Sequence, residues 1–91
     1  KFQLHQNYPN PFNPTTNIRF ELTVDGFVTM TVHDVLGKEV ARLMNDEQKA
    51  GSYDVNFDGS QLSSGIYFYK VNVSGTNGSL FTDSKKLVLM K

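Results

Sequence analysis

Three features of this sequence predict an all-β fold built from two packed antiparallel sheets. Apolar and polar residues alternate with period two through most of the chain after residue 15. Turns rich in Gly, Asp and Asn interrupt them at short intervals, and no helical period lasts beyond a couple of turns. With 91 residues the chain has room for one domain, and a domain this small buries only about 60–65% of its unfolded surface, so its core must be well filled. Seven Phe and four Tyr, with no Trp, supply strand-forming side chains for that purpose.

The elements follow in chain order. All three prolines, Pro9, Pro11 and Pro14, fall in the first fifteen residues. Each fixes its own φ and pushes the residue before it toward extended backbone, which excludes helix and inner strand. Residues 1–15 therefore read as a proline-rich arm packed on the domain, with Tyr8 and Phe12 as its apolar anchors. Residues 16–91 read as the sandwich itself, a single domain overall. In the first strand of the sandwich Ile18, Phe20 and Leu22 share one face. After the Asp25-Gly26 turn, Val28, Met30 and Val32 line a face of the next strand, opposite Thr29, Thr31 and His33. Asp34-Val35-Leu36-Gly37 reads as a type I turn with Gly37 left-handed, which sends Lys38–Met44 back as a hairpin partner. The run Val40–Met44 could close one helical turn, but the hairpin signals around it favour strand.

Polar Asn45–Ala50 reads as loop. Ser52–Asp58 follows as a strand burying Tyr53, Val55 and Phe57. Gly65 opens the longest strand, Ile66–Ser74, whose two apolar faces near the start suggest a central position. Gly75-Thr76-Asn77-Gly78 reads as a hairpin connection suited to type I′ geometry, and the last strand spans about Leu80 to Met90. Six to seven strands with regular turns point to an immunoglobulin-like sandwich. Leu62-Ser63-Ser64-Gly65-Ile66-Tyr67 sharpens this, because it has the form of a tyrosine corner. In that motif a strand-leading tyrosine, here Tyr67, returns its hydroxyl to upstream backbone, with Leu62 and Gly65 shaping the bend.

Catalytic chemistry finds little footing. Cysteine is absent, which removes thiolate nucleophiles and soft metal ligands. His5 and His33 lie on different elements, without metal-ligand spacing. No Gly-x-Ser-x-Gly elbow or Gly-rich phosphate loop occurs. The acidic residues lack the spacing of the best-known calcium loop, although an irregular calcium site would leave little mark in sequence. The reading is of a chain without enzymatic activity and without cofactor or resident metal. Nine basic residues balance nine acidic ones, so no global field gathers nucleic acid. No apolar run approaches the roughly 20 residues of a transmembrane segment. Most aromatics alternate correctly for the core; Tyr8 and Phe68 are the two whose face is ambiguous. Asn72-Val73-Ser74 and Asn77-Gly78-Ser79 match the glycosylation triplet, a pattern too common to carry a role.

Four segments occur in a telling order: Tyr8-Pro9-Asn10-Pro11-Phe12-Asn13-Pro14-Thr15-Thr16, the hairpin Val32–Val40, Leu62–Lys70, and the end Lys85-Lys86-Leu87-Val88-Leu89-Met90-Lys91. As a set they resemble the type A C-terminal sorting domain of the type IX secretion system (Por secretion system), which is related to the immunoglobulin-like domain of flagellar hook-capping proteins. The resemblance covers about Leu4 to Lys91. It implies a non-catalytic module attached behind an exported cargo domain of the same chain. Such a module is recognised by the outer-membrane translocon and in many members removed by its sorting protease. The expected destination is the cell surface or the medium, by way of periplasm and outer membrane, with the inner-membrane signal on an upstream part. Carried onto this chain, the recognition elements are Pro9, Asn10, Pro11 and Phe12, then Gly65 and Tyr67, and finally Lys85, Lys86 and Lys91. A terminal strand also leaves an edge that a receptor strand can join, with lysines suited to an acidic partner. The competing expectations are an accessory carbohydrate-binding module, which requires two exposed coplanar aromatics, and a structural spacer of a secreted multidomain hydrolase.

Overall fold

The computed structural model describes residues 2–91; Lys1, the first residue of the expected arm, lies outside them. Seven strands follow one another: β1 (Gln3–Leu4), β2 (Thr15–Leu22), β3 (Gly26–His33), β4 (Glu39–Gln48), β5 (Gly51–Asp58), β6 (Gly65–Gly75) and β7 (Leu80–Leu89). One sheet has the order β1-β2-β5 and the other β4-β3-β6-β7, and neighbouring strands are antiparallel throughout. This is the expected immunoglobulin-like sandwich. Its fourth strand sits beside the third, whereas in the constant-type arrangement the fourth strand joins the first sheet.

The period-two pattern places the core. Ile18, Phe20 and Leu22 of β2, Val28, Met30 and Val32 of β3, and Leu87 and Leu89 of β7 are all buried. They form one cluster with Tyr67, Tyr69, Val71 and Val73 of β6. Cross-strand registers such as Met30 opposite Val71 and Tyr67 opposite Leu87 put these side chains shoulder to shoulder on one face of the four-stranded sheet. β6 lies between β3 and β7, the central place that its apolar start predicts.

Four expectations need correction. β4 runs on through Gln48, so most of Asn45–Ala50 is strand. Its residues are polar because β4 is an edge strand, yet their backbone pairs with Gly26–Thr29 regardless of side chain. In β5 only Phe57 is fully buried; Tyr53 and Val55 stay half-exposed on an edge strand, with the Tyr53 ring stacked on Phe20 at 5.2 Å. The connection after β6 is not type I′, because Asn77 has a negative φ and only Gly78 is left-handed, at +89°. Gly78 N–H donates to Gly75 C=O and Gly75 N–H to Ser79 C=O, the pattern of a type I turn closed by a glycine bulge. The Asp34–Gly37 turn uses the same device as expected, with Gly37 at φ +87°.

The fourth correction concerns the arm. Tyr8 is no anchor, being 81% exposed, whereas Phe12 is 2% exposed. Tyr8 exchanges both backbone hydrogen bonds with Asn17, and strand alternation then turns its ring outward and the preceding Asn7 inward. Asn7 takes the buried place instead. Its amide donates to Thr16 Oγ1 and to Pro9 C=O, and its backbone N–H donates to the Tyr69 hydroxyl.

The sandwich measures 41 × 23 × 17 Å and has two poles. The proximal pole gathers Phe2, stacked on Phe81 at 5.7 Å, with the turns after β2, β4 and β6. The distal pole gathers Phe12, the β3–β4 turn, the β5–β6 crossing and Lys91.

Candidate recognition surface

The arm crosses from one sheet to the other on its way between the poles. Leu4, His5 and Tyr8 track along β2, and Phe12 then pairs in parallel with Leu89 of β7. Phe12 N–H donates to Val88 C=O and Met90 N–H donates to Phe12 C=O, both at 2.9 Å. Two side chains continue the seam: Asn10 Oδ1 accepts Val88 N–H at 2.9 Å, and Gln6 Nε2 donates to Lys86 C=O at 2.7 Å. Lys86 C=O, both outward groups of Val88 and Met90 N–H are thus taken by the chain's own arm. This qualifies the expectation of a free terminal edge. A receptor strand could join there only by displacing the arm, whereas none of the arm's hydrogen bonds among the described residues goes to Leu80 or Thr82.

Three segments far apart in sequence meet here. Gly65 lies opposite Leu89 and Tyr67 opposite Leu87, so arm, β7 and the opening of β6 run side by side. Pro9, Asn10 and Pro11 are exposed on the rim and Phe12 is inserted beneath it. Tyr67 donates its hydroxyl to Ser63 C=O at 2.7 Å, bracing the crossing from β5 to β6, with Leu62 half-buried beneath it. Gly65 has φ +154°, backbone that favours glycine. Lys91 folds back over this crossing: its N–H donates to Ser64 Oγ and its ammonium to Ser60 C=O at 2.6 Å. Lys86 is exposed on the outer face opposite Phe68, while Lys85 points to the other side of β7, opposite Tyr69. The three lysines therefore do not form one cluster.

Charge and burial at this pole have identifiable causes. The Ser60 backbone N–H holds the Asp58 carboxyl below its usual range, helped by the Ser60 hydroxyl and, more weakly, by the Lys91 charge. Burial pushes the Tyr69 phenol up to about 12; the Asn7 N–H works against this and the Asp83 charge adds to it. That hydroxyl also donates to His5 C=O at 2.6 Å, so it staples the arm to the opposite sheet.

Sequence reasoning missed Gln6, Asn7, Gly59, Ser60 and Ser64. Gly59 is buried, and a Cβ on it would come within 3.3 Å of the Phe12 ring and 3.2 Å of Leu89. No local pattern distinguishes these residues from ordinary turn formers, because their partners lie on distant strands.

The histidines are engaged locally. His5 contacts Glu21 at 3.0 Å. His33 is half-buried, with Nδ1 at 3.2 Å from Gly37 C=O and Nε2 at 2.9 Å from the Thr31 hydroxyl. A carbonyl can only accept, so Nδ1 carries the proton. Among the described residues no group of three or more His, Asp or Glu converges as a metal site, and no helix is long and apolar enough to cross a membrane. Phe27 and Phe68 are exposed on the outer face of the four-stranded sheet, with Phe27 opposite Ser74 and Phe68 opposite His33. Six residues of strand, roughly 20 Å, separate the two rings, so they are no stacking pair for a sugar.

Fold and surface together define a β-sandwich module whose most elaborated feature is a backbone seam between its proline arm and its last strand. The model of the family described as secretion system C-terminal sorting domain matches residues 6–89. The chain belongs to this family, the C-terminal sorting domains of the type IX secretion system. Membership implies export, with a cell-surface or secreted destination. No curated protein matches the chain. Similar solved structures include dimeric latent PorU from Porphyromonas gingivalis, with TM-score 0.76 and 18% identity over 98% of this chain and 9% of that one. CopC from Methylosinus trichosporium OB3b has TM-score 0.63 and 17% identity, covering 98% and 93% of the two chains. The PmoD soluble domain from Methylocystis sp. ATCC 49242 (Rockwell) has TM-score 0.64 and 15% identity, covering 98% and 89%. At these identities the likeness is one of fold.

Proposed function

We propose that the chain is a non-catalytic sorting module that directs an attached exported protein through the type IX outer-membrane translocon. The surface read by the translocon and its sorting protease is the distal seam, made of Pro9, Asn10, Pro11 and Phe12, Gly65 and Tyr67, and the end of β7 with Lys86 and Lys91. Lys85, on the opposite side of β7, contributes only to the charge of the terminus. The observation that carries this reading is the adjacency of arm, β6 opening and chain end, which are up to 80 positions apart in sequence, as in the contact of Gln6 with Lys86. Such a composite surface exists only in the folded domain, so it lets a receptor test folding and identity together. The periplasm, the outer membrane and an upstream cargo domain complete the proposed route.

The test is a fusion of the 91-residue chain behind a neutral reporter, carrying an inner-membrane signal, in cells that possess the type IX machinery. The reporter is expected at the cell surface or in the medium, and deletion of residues 85–91 is expected to hold it in the periplasm. A reporter that never leaves the periplasm removes the sorting function. Export that survives the deletion removes the role given to the terminus.

A further inference from the structure

The proximal end of the four-stranded sheet carries a second surface, on its outer face and away from the seam. There an open hollow of about 230 Å³ is lined by Phe27, Thr29, Asn72, Ser74, Leu80 and Thr82, with Val73 and Phe81 completing it. The registers set the outward side chains in two rows. Thr29, Asn72 and Thr82 stand side by side across β3, β6 and β7, and Phe27, Ser74 and Leu80 do so one step nearer the pole. Strands lie about 4.7–4.9 Å apart and same-face neighbours about 6.6–6.8 Å apart, so Phe27, Ser74, Asn72 and Thr29 frame one small patch.

This patch is polar but uncharged. None of the residues lining the hollow is ionisable at neutral pH. Glu47, across from Phe27 on β4, and Lys70, two residues before Asn72, flank it with opposite signs without lining it. Arg42, farther along the same face, is held by Glu39 at 3.2 Å. The polar side chains are set by one another. Thr82 Oγ1 donates to Asn72 Oδ1 at 2.9 Å, and Thr29 Oγ1 donates to Asn45 Oδ1 at 3.2 Å. With its oxygen so used, Asn72 offers two amide N–H donors that find no acceptor among the described residues. The Ser74 hydroxyl beside it both donates and accepts. Phe27 is 38% and Leu80 78% exposed, so an aromatic ring and an aliphatic side chain border the same hydroxyl and amide.

Fixed donors and acceptors next to an exposed ring, without charge, complement a neutral ligand that has an apolar face and a rim of hydroxyls. We propose that this hollow binds one ring of a neutral saccharide. Its C–H face lies on Phe27, and its hydroxyls meet Ser74 and the Asn72 amide, which Thr82 holds in place. A single aromatic restricts the site to one sugar unit, unlike the paired platform that Phe27 and Phe68 fail to make. The surface is separate from the arm–β7 seam and stands or falls independently of the sorting function.

The probes are the methyl glycosides of glucose, galactose, mannose and N-acetylglucosamine, each titrated into the isotope-labelled 91-residue chain and followed by amide chemical shifts. At least one is expected to give saturable shifts at Thr29, Ser74, Thr82 and the Asn72 side-chain amide. A Kd on the order of 1 mM suits so open a site, and salt is expected to leave it unchanged because the ligand carries no charge. Asn72→Asp, which keeps the shape and removes both N–H donors, and separately Phe27→Ala are each expected to weaken binding about tenfold. Both side chains are exposed and outside the seam, and an unchanged dispersed spectrum of the free variant checks that it is folded. Failure of all four glycosides to saturate, equal binding of cyclohexanol, tighter binding of glucuronate than of methyl glucoside, or shifts confined to Phe12 and Met90 would each overturn the proposal.

Discussion

The two halves of β7 finish the same sheet edge by different means. Between Lys86 and Met90, the Lys86 C=O, the Val88 N–H and C=O and the Met90 N–H meet Gln6, Asn10 and Phe12. Between Leu80 and Ser84 the cover of the outward backbone among the described residues is local, with Ser84 N–H donating to the neighbouring Asp83 carboxylate at 2.8 Å. The opposite edge of this sheet, β4, uses that second device at Glu47, whose N–H donates to Asp46 at 2.8 Å. A charged residue on an edge discourages pairing with another chain at no cost to the rest of the fold. A paired arm is a different solution, because it needs a buried aromatic, an inward asparagine and a glycine floor to hold it. The distal half of β7 is therefore held by backbone pairing with the arm, whereas its proximal half meets the arm through the Phe2 ring on Phe81, with its outward backbone guarded by composition.

Removing the arm's anchor breaks this contrast most directly. Phe12→Ala empties a fully buried aromatic site and is expected to destabilise the domain by about 3–5 kcal/mol, measured by urea denaturation. In the same variant, hydrogen exchange at the Val88 and Met90 amides is expected to rise toward the rate of Thr82. Exchange at Val88 that stays slow would mean the arm does not depend on Phe12.

A smaller effect comes from Tyr69, which ties the arm to β6. A phenol whose folded pKa is raised above the ordinary value of 10.0 to about 12 contributes stability that is fully present below pH 10. That stability is lost as pH climbs toward 12, because the unfolded state gives up its proton first. The loss is about 2–3 kcal/mol, seen as a falling denaturation midpoint, and Tyr69→Phe is expected to flatten that fall. The smallest effect sharpens the comparison. Tyr67→Phe removes only the bond to Ser63 C=O and is expected to cost about 1 kcal/mol while leaving Val88 exchange slow, since the β5–β6 crossing is braced apart from the arm.

Side-chain chemistry read along the chain was enough for the sheets. Strand alternation at Ile18, Phe20 and Leu22, or at Val28, Met30 and Val32, is a local property, and burying one face is what it exists to do. The Gly37 turn was equally legible, since a left-handed φ selects its residue. Where strands lie at an edge the rule weakens: Asn45–Gln48 reads as loop because neither face is covered, and backbone pairing needs no particular side chain.

Composition and local pattern were enough to specify a cysteine-free β-sandwich with a proline arm before its first long strand and lysines on its last. The closing of the arm on that strand, the inward turn of Asn7 and outward turn of Tyr8, and the parting of Lys85 and Lys86 across β7 emerge only when the sheets are packed. The physical reason is that each of these depends on which distant backbone offers a free N–H or C=O, and a hydrogen bond between residues 6 and 86 leaves no periodicity to read.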